Sequence, residues 1–192
     1  MALHTLVITL AHTYPASFLP AVHLRNLHLT STIYNAGFLS QILENGRQLE
    51  VLQLEVGHGC VLSTVFRAHA GPHLLPSLRK LSFILIGAPS DFTDPDLFPA
   101  VAEFVRGFRM LEALCISNTH SIEGFGYDAA VWGVLPSLLN LRTLSLDLPK
   151  DLPPALSAWL IPRSVTVLRL QVARHVTVDI RVRRHFPLFG IS

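Results

Sequence analysis

Residues 49–54 read Leu49-Glu50-Val51-Leu52-Gln53-Leu54. Leu52 and Leu54 are two apart, so in an extended chain they share one face and Gln53 turns to the other. Leu49 packs inward from the turn that enters the strand. The same spacing, an aliphatic residue, two others, a Leu, one other and an apolar residue, occurs seven times. The remaining copies are Leu3-Leu6-Ile8, Leu24-Leu27-Leu29, Leu78-Leu81-Phe83, Leu111-Leu114-Ile116, Leu141-Leu144-Leu146 and Val165-Leu168-Leu170. Successive starts are separated by 21, 25, 29, 33, 30 and 24 residues.

A strand this short does not stand alone. Stacked beside its neighbours it forms a parallel sheet with a continuous apolar face. Parallel neighbours need a crossover of about a dozen residues or more, commonly a helix. Several intervening segments fit. Phe38, Leu39, Ile42 and Leu43 lie on one helical face, with Gly46 as a stop signal. Leu97, Val101, Phe104, Val105 and Phe108 make a second face, ended by Gly107. Pro95 or Pro99 opens that helix, and both together are not expected inside it. Pro153 and Pro154 open a short helix carrying Leu156, Trp159 and Leu160, with Pro162 beyond its end. Residues 128–135 give a weaker fourth helix, and residues 11–24 have room only for an extended or single-turn return. Gly57, Gly59, Gly71, Pro72, Gly87, Pro89 and Asp91 punctuate loops, with 88–96 the expected long exposed one. Beyond Ala173, Val176, Val178, Ile180 and Val182 alternate with polar residues and predict one more strand.

The seven copies resemble leucine-rich repeats, whose core is LxxLxL. The family continues with Asn or Cys three residues after the last core position; here those positions are Ala11, Thr32, Gly57, Ile86, Thr119, Pro149 and Ala173. An Asn ladder is therefore absent, with Thr32 and Thr119 as partial substitutes. The variable repeat length, and the phrases Leu75-Pro76-Ser77-Leu78 and Leu135-Pro136-Ser137-Leu138, resemble the irregular repeats of fungal F-box and leucine-rich-repeat proteins. The resemblance implies an α/β leucine-rich-repeat solenoid: a curved parallel sheet with helices and loops on its outer face. Residues 1–173 would form about seven irregular repeats, and 174–192 a strand or tail closing the solenoid. It also implies target selection for a cullin-type ubiquitin ligase. No F-box is present, and the first repeat starts at Leu3, so a missing N-terminal domain is one expectation.

Composition agrees with a buried core along most of the chain. Of the 192 residues half are hydrophobic and only 15% are charged, which disfavours long disorder. The net charge of +2 is too small to argue for nucleic acid. The local basic group of Arg181, Arg183, Arg184 and His185 reads as a solvated tail or cap. The two cysteines, Cys60 and Cys115, make no disulfide framework and fit a cytoplasmic or nuclear location. No apolar run approaches the ~18 residues of a membrane span. Residues 2–11 could mimic a signal peptide core, but lack a preceding basic residue and fit the repeat better.

Chemistry-bearing patterns are thin. There is no phosphate-cradling glycine loop and no GxSxG elbow; Gly124-Phe125-Gly126 reads as a turn. His58 with Cys60, and Cys115 with His120, lack the third group that orients a thiol–base pair. His69 and His73 have a helical metal spacing, interrupted by Gly71 and Pro72. Asp91, Asp94 and Asp96 lack a calcium-loop register and suit turn and capping duties. No catalytic residue, cofactor or metal site is expected.

Function then falls to the open, concave face. Its central column is expected to be Val7, His28, Gln53, Ser82, Cys115, Ser145 and Arg169. The flanking column is Thr9, Thr30, Glu55, Ile84, Ser117, Asp147 and Gln171. Of these, His28, Gln53, Glu55, Ser82, Cys115, Ser145, Asp147 and Arg169 are the candidate binding residues. Small and mixed polar, they suit a protein or peptide rather than a polyanion. The expectation is a non-enzymatic interaction module with an unidentified protein partner and no nucleic acid or membrane. The alternative is a truncated remnant without activity.

Overall fold

The computed structural model describes residues 4–10, 23–31, 36–57, 59–71, 73–87, 93–118, 128–148, 152–173 and 176–181. The expectations for residues 11–22, 88–92, His58, His120, Gly124-Phe125-Gly126 and residues beyond 181 lie outside them.

Each of the seven motif copies places its last two core residues on a strand: β1 (Thr5–Leu10), β2 (Asn26–Ser31), β3 (Val51–Gly57), β4 (Lys80–Ile86), β5 (Ala113–Asn118), β6 (Thr143–Asp147) and β7 (Val167–Ala173). An eighth, β8 (Val176–Arg181), follows directly. The sheet runs β1 to β8 in sequence order. The first seven strands pair parallel, and β8 returns antiparallel against β7. Between the strands lie α1 (Ala36–Asn45), α2 (Ser63–Ala68), α3 (Leu97–Arg106) and α4 (Pro154–Leu160), together with a π-helical turn (Asp128–Trp132) and a 3-10 turn (Leu135–Ser137). The protein is thus α/β, with an eight-stranded, mostly parallel sheet.

Register follows the motif. Leu27, Leu52, Leu81, Leu114 and Leu144 pair in one row and are 1, 0, 3, 1 and 0% exposed. At every junction between parallel strands, one carbonyl accepts two successive amides of the next repeat. His4 O takes Arg25 N and Asn26 N at 2.9 and 3.0 Å, and Arg142 O takes Thr166 N and Val167 N at 2.8 and 3.0 Å. Arg25, Glu50, Arg79 and Glu112 do the same between them. Their side chains alternate in charge, so Arg25 pairs with Glu50 and Arg79 with Glu112 along the rim.

The helices cover one side of the sheet. Leu39, Ile42 and Leu43 of α1, and Phe98, Val101, Phe104 and Val105 of α3, are buried with the strand leucines. Phe66 of α2 meets Phe83 of β4 edge-on at 5.7 Å and Phe104 at 5.1 Å, and Phe104 meets Phe108 at 4.7 Å. Such ring geometry adds roughly 0.5–1.5 kcal/mol per pair beyond area burial. Gly46 ends α1 under a close approach: a Cβ there would lie 2.7 Å from the Ile42 carbonyl oxygen.

Three expectations change. α2 was not anticipated, because six residues are too few to show a helical period. The prolines, by contrast, are as expected, with only one of them inside α3: Pro95 precedes it, and Pro99 lies in its first turn, where amides have no intrahelical acceptor. The 88–96 segment is not exposed throughout, since Asp94 is 3% exposed. Its carboxylate accepts the Leu62 and Ser63 amides, both at 2.8 Å, and so caps α2 from the next repeat. Finally, α4 forms where expected but does not bury its apolar face: Leu156 is exposed and Trp159 is 87% exposed.

Two stability outcomes follow from this packing. Leu52→Ala and Leu114→Ala are expected to cost about 2–5 kcal/mol each, and Leu6→Ala, at a partly buried site on β1, less. Chemical denaturation of the three variants checks the order, and equal losses would contradict it. Asp94→Ala strands two buried amides, with an expected loss of about 1–3 kcal/mol. Amide exchange should quicken at Leu62 and Ser63 before it does in β4; uniform quickening would contradict a local cap.

Candidate functional site

Alternation along the strands sends one residue in two away from the helices. Register then assembles these residues into columns. Val7, His28, Gln53, Ser82, Cys115, Ser145 and Arg169 pair in one continuous row across the seven parallel strands. Thr9, Thr30, Glu55, Ile84 and Ser117 make the next row, and Asp147 and Gln171 continue it on β6 and β7. All eight candidate binding residues therefore stand on one face.

The alternation that predicts these two columns also predicts a third, two residues earlier, which the sequence reading passed over. It consists of Thr5, Asn26, Val51, Lys80, Ala113, Thr143 and Val167. Lys80 is exposed and is its one cation among the parallel strands. Asn26 Nδ2 donates to Thr5 Oγ1 at 3.2 Å.

Polar contacts gather at the two ends of the face. On β2 and β3, Thr30 Oγ1 donates to Glu55 Oε2 at 3.1 Å, while His28 Nε2 lies 3.3 Å from Thr30 Oγ1 and 3.4 Å from Glu55 Oε1. Protonated, His28 pairs with Glu55. On β5 to β7, Ser117 Oγ lies 3.0 Å from Asp147 Oδ1 and 2.8 Å from Gln171 Oε1. One hydroxyl carries one proton. The trio is fully satisfied when Ser117 donates to Asp147 and the Gln171 amide turns to donate to Ser117. Arg169 Nε donates to Asp179 of β8 at 3.0 Å. Between the clusters, β4 contributes the uncharged Ser82 and Ile84, both half-buried.

Cys115 sits mid-face, with the Ser82 and Ser145 hydroxyls bonded to its sulfur. Burial pushes its thiol up, against the smaller opposing effect of those two hydroxyls. Among the described residues, no imidazole is among the groups that act on it, and its proton is held rather than released. Cys60 is buried in the core. His69, weighed above as a ligand, is buried at the end of α2. Its Nδ1 donates to Val65 O at 2.7 Å, and its Nε2 faces Ser40 Oγ at 3.2 Å and Glu44 Oε1 at 3.5 Å. His73 is exposed in the turn beyond. Among the described residues, no three of His, Cys, Asp and Glu come together as a metal site. No helix among them is long and apolar enough to cross a membrane.

The raised thiol of Cys115 has a testable sign. The folded state keeps this proton at a pH where the unfolded chain loses it. Its contribution to stability is present below about pH 8.5 and is lost as pH rises towards the raised folded value. Cys115→Ser is expected to flatten that alkaline loss. At pH 8, iodoacetamide should modify Cys115 more slowly than a free cysteine; equal rates would refute the assignment. Compared with protein-family models the sequence matches none, and no curated protein matches it.

Proposed function

We propose that the protein is a non-enzymatic interaction module of leucine-rich-repeat type, which holds a protein or peptide partner on the open face of its parallel sheet. The observation that carries this reading is the unbroken row His28-Gln53-Ser82-Cys115-Ser145-Arg169, presented on strands whose opposite side is locked into the core. A rigid scaffold lowers the ordering cost of binding. The face is small-residued and half-exposed at its centre and polar at its ends, which suits an extended segment lying across β3 to β6. Glu55 and Asp147 give that segment two acidic flanks. The resemblance of the repeats to fungal F-box and leucine-rich-repeat proteins extends the reading to target recognition for a ubiquitin ligase, in the cytoplasm or nucleus.

Photo-crosslinking groups placed singly at Gln53, Ser82 and Ser145 test the face. The expected outcome is that all three capture one and the same partner, and that groups at Glu103 and Arg106 on α3 do not. Glu55→Lys, at a half-buried charge within the footprint from β3 to β6, should lower the captured yield about tenfold or more. Equal capture from both sides of the protein would overturn the reading.

A further inference from the structure

The open face keeps its two half-buried carboxylates in one row. Glu55 of β3 pairs with Ile84, Ile84 pairs with Ser117, and Ser117 Oγ lies 3.0 Å from Asp147 Oδ1 of β6. Both carboxylates already accept within the protein. Glu55 Oε2 takes the Thr30 hydroxyl and Glu55 Oε1 faces His28 Nε2, while Asp147 takes Ser117. An ionised carboxylate offers about four acceptor positions, so each keeps capacity for a cationic donor. The Lys and Arg of the face stand elsewhere. Arg169 is bonded to Asp179 of β8 at 3.0 Å, and Lys80 lies at the opposite end of β4 from Ile84's row.

Strand spacing converts this row into a sequence pattern. At ~4.8 Å between neighbouring strands, the steps from β3 to β6 separate the two carboxylates by roughly 14 Å. An extended segment advances ~3.3 Å per residue and turns every second side chain the same way, so its residues i and i+4 stand roughly 13 Å apart on one side. Residue i+2 then falls midway, over β4 and β5. The polar groups there are taken up: the Ser82 and Ser145 hydroxyls by the Cys115 sulfur, and Ser117 by Asp147 and Gln171. Ile84 beside them is half-buried. An apolar side chain at i+2 covers Ile84 and Cys115 without breaking a hydrogen bond, whereas a polar one gains its contacts only by exchange.

We propose that the partner segment carries Lys or Arg at i, an apolar residue at i+2 and Lys or Arg at i+4, with the two cations on Glu55 and Asp147 and the apolar side chain over Ile84 and Cys115. The inference rests on the open face being the binding face, and it adds the chemistry of what binds there. A hydrogen bond between two ionised groups is roughly twice as strong as a neutral one, so carboxylates that already hold neutral donors still favour a cation. Complementary charge of this kind acts mainly on the choice of partner and on its register.

A random decapeptide library displayed on phage and selected on the full chain tests the pattern. The expected result is enrichment of basic–x–apolar–x–basic peptides that crosslink to a benzophenone side chain placed at Ser82. The best of them, made synthetically, is compared with a form in which Gln replaces both basic residues, and with a form whose basic residues are only two apart. The protein should prefer the parent peptide about tenfold or more over each. Glu55→Gln together with Asp147→Asn keeps the oxygens that accept from Thr30 and Ser117. This double variant should lose the preference and still crosslink at Ser82. Enriched peptides that crosslink at Ser82 but lack the pattern would overturn the proposal and leave the binding face standing. So would a preference that survives the double variant. Peptides that crosslink only elsewhere, or a selection with no enrichment, would overturn the proposal and the binding face together.

Discussion

One carbonyl at each strand entry sets the geometry of the sheet. It belongs to the residue after the first motif position, and it accepts two consecutive amides of the following repeat at all six parallel junctions. Sharing an acceptor in this way leaves little freedom to slide. A slip of one residue would turn every leucine of the next strand to the opposite face. The alternating charges of Arg25, Glu50, Arg79 and Glu112 lie at the same positions, so the exposed rim favours the same register. Surface pairs of this kind contribute little to stability, roughly 0–1 kcal/mol each. Their value is directional, since a slipped register would part Arg25 from Glu50 and Arg79 from Glu112.

Once register is fixed, the crossovers are free to vary in length, and they do. The burial they must achieve is met by different means in successive repeats. α1 and α3 are full amphipathic helices, whereas α2 is too short to be stable alone. It is held by Phe66 against Phe83 and Phe104, and by the Asp94 carboxylate on its first amides. A buried carboxylate without partners would be costly. Here the two amides repay it, and α2 becomes dependent on the repeat that follows. The centre of the protein is therefore coupled across repeats by a cap and two ring contacts, as well as by the sheet.

The strands were legible in the sequence because each carries two inward residues at period two, and the motif repeats. The β-strand at residues 176–181 was legible for the same reason, from Val176, Val178 and Ile180. α1 and α3 showed because ten residues hold nearly three helical turns. α2 did not show, since its decisive partners, Phe83, Phe104 and Asp94, are distant in sequence. The cap by Asp94 could not be read locally either: Asp94 sits beside α3 in the chain but serves α2. The two columns on the open face were legible once register was assumed. The third column, through Asn26, Lys80 and Thr143, required only the same alternation carried one step further. The exposure of Trp159 was not legible, because an apolar face on a short helix looks the same whether or not something covers it.

Period-two alternation separates two tasks. Inward residues hold the fold, and outward residues stand on the open face, where the proposed partner would lie. The separation is good at Gln53, whose outward side chain is exposed. It weakens at Ser117, which faces outward yet is buried between the side chains of Asp147 and Gln171. It weakens again at Cys115, enclosed by Ser82 and Ser145. Glu55 is likewise already bonded to Thr30 and close to His28, so both ends of the face are partly satisfied by their own contacts. Gln53 is the exposed side chain between them. The proposed partner, lying across the sheet, would gain its polar contacts by exchange at the two ends and by addition at Gln53. Exchange returns little net energy, because each contact made replaces one lost. On these grounds affinity would be decided at Gln53, and the two ends would hold the partner in register.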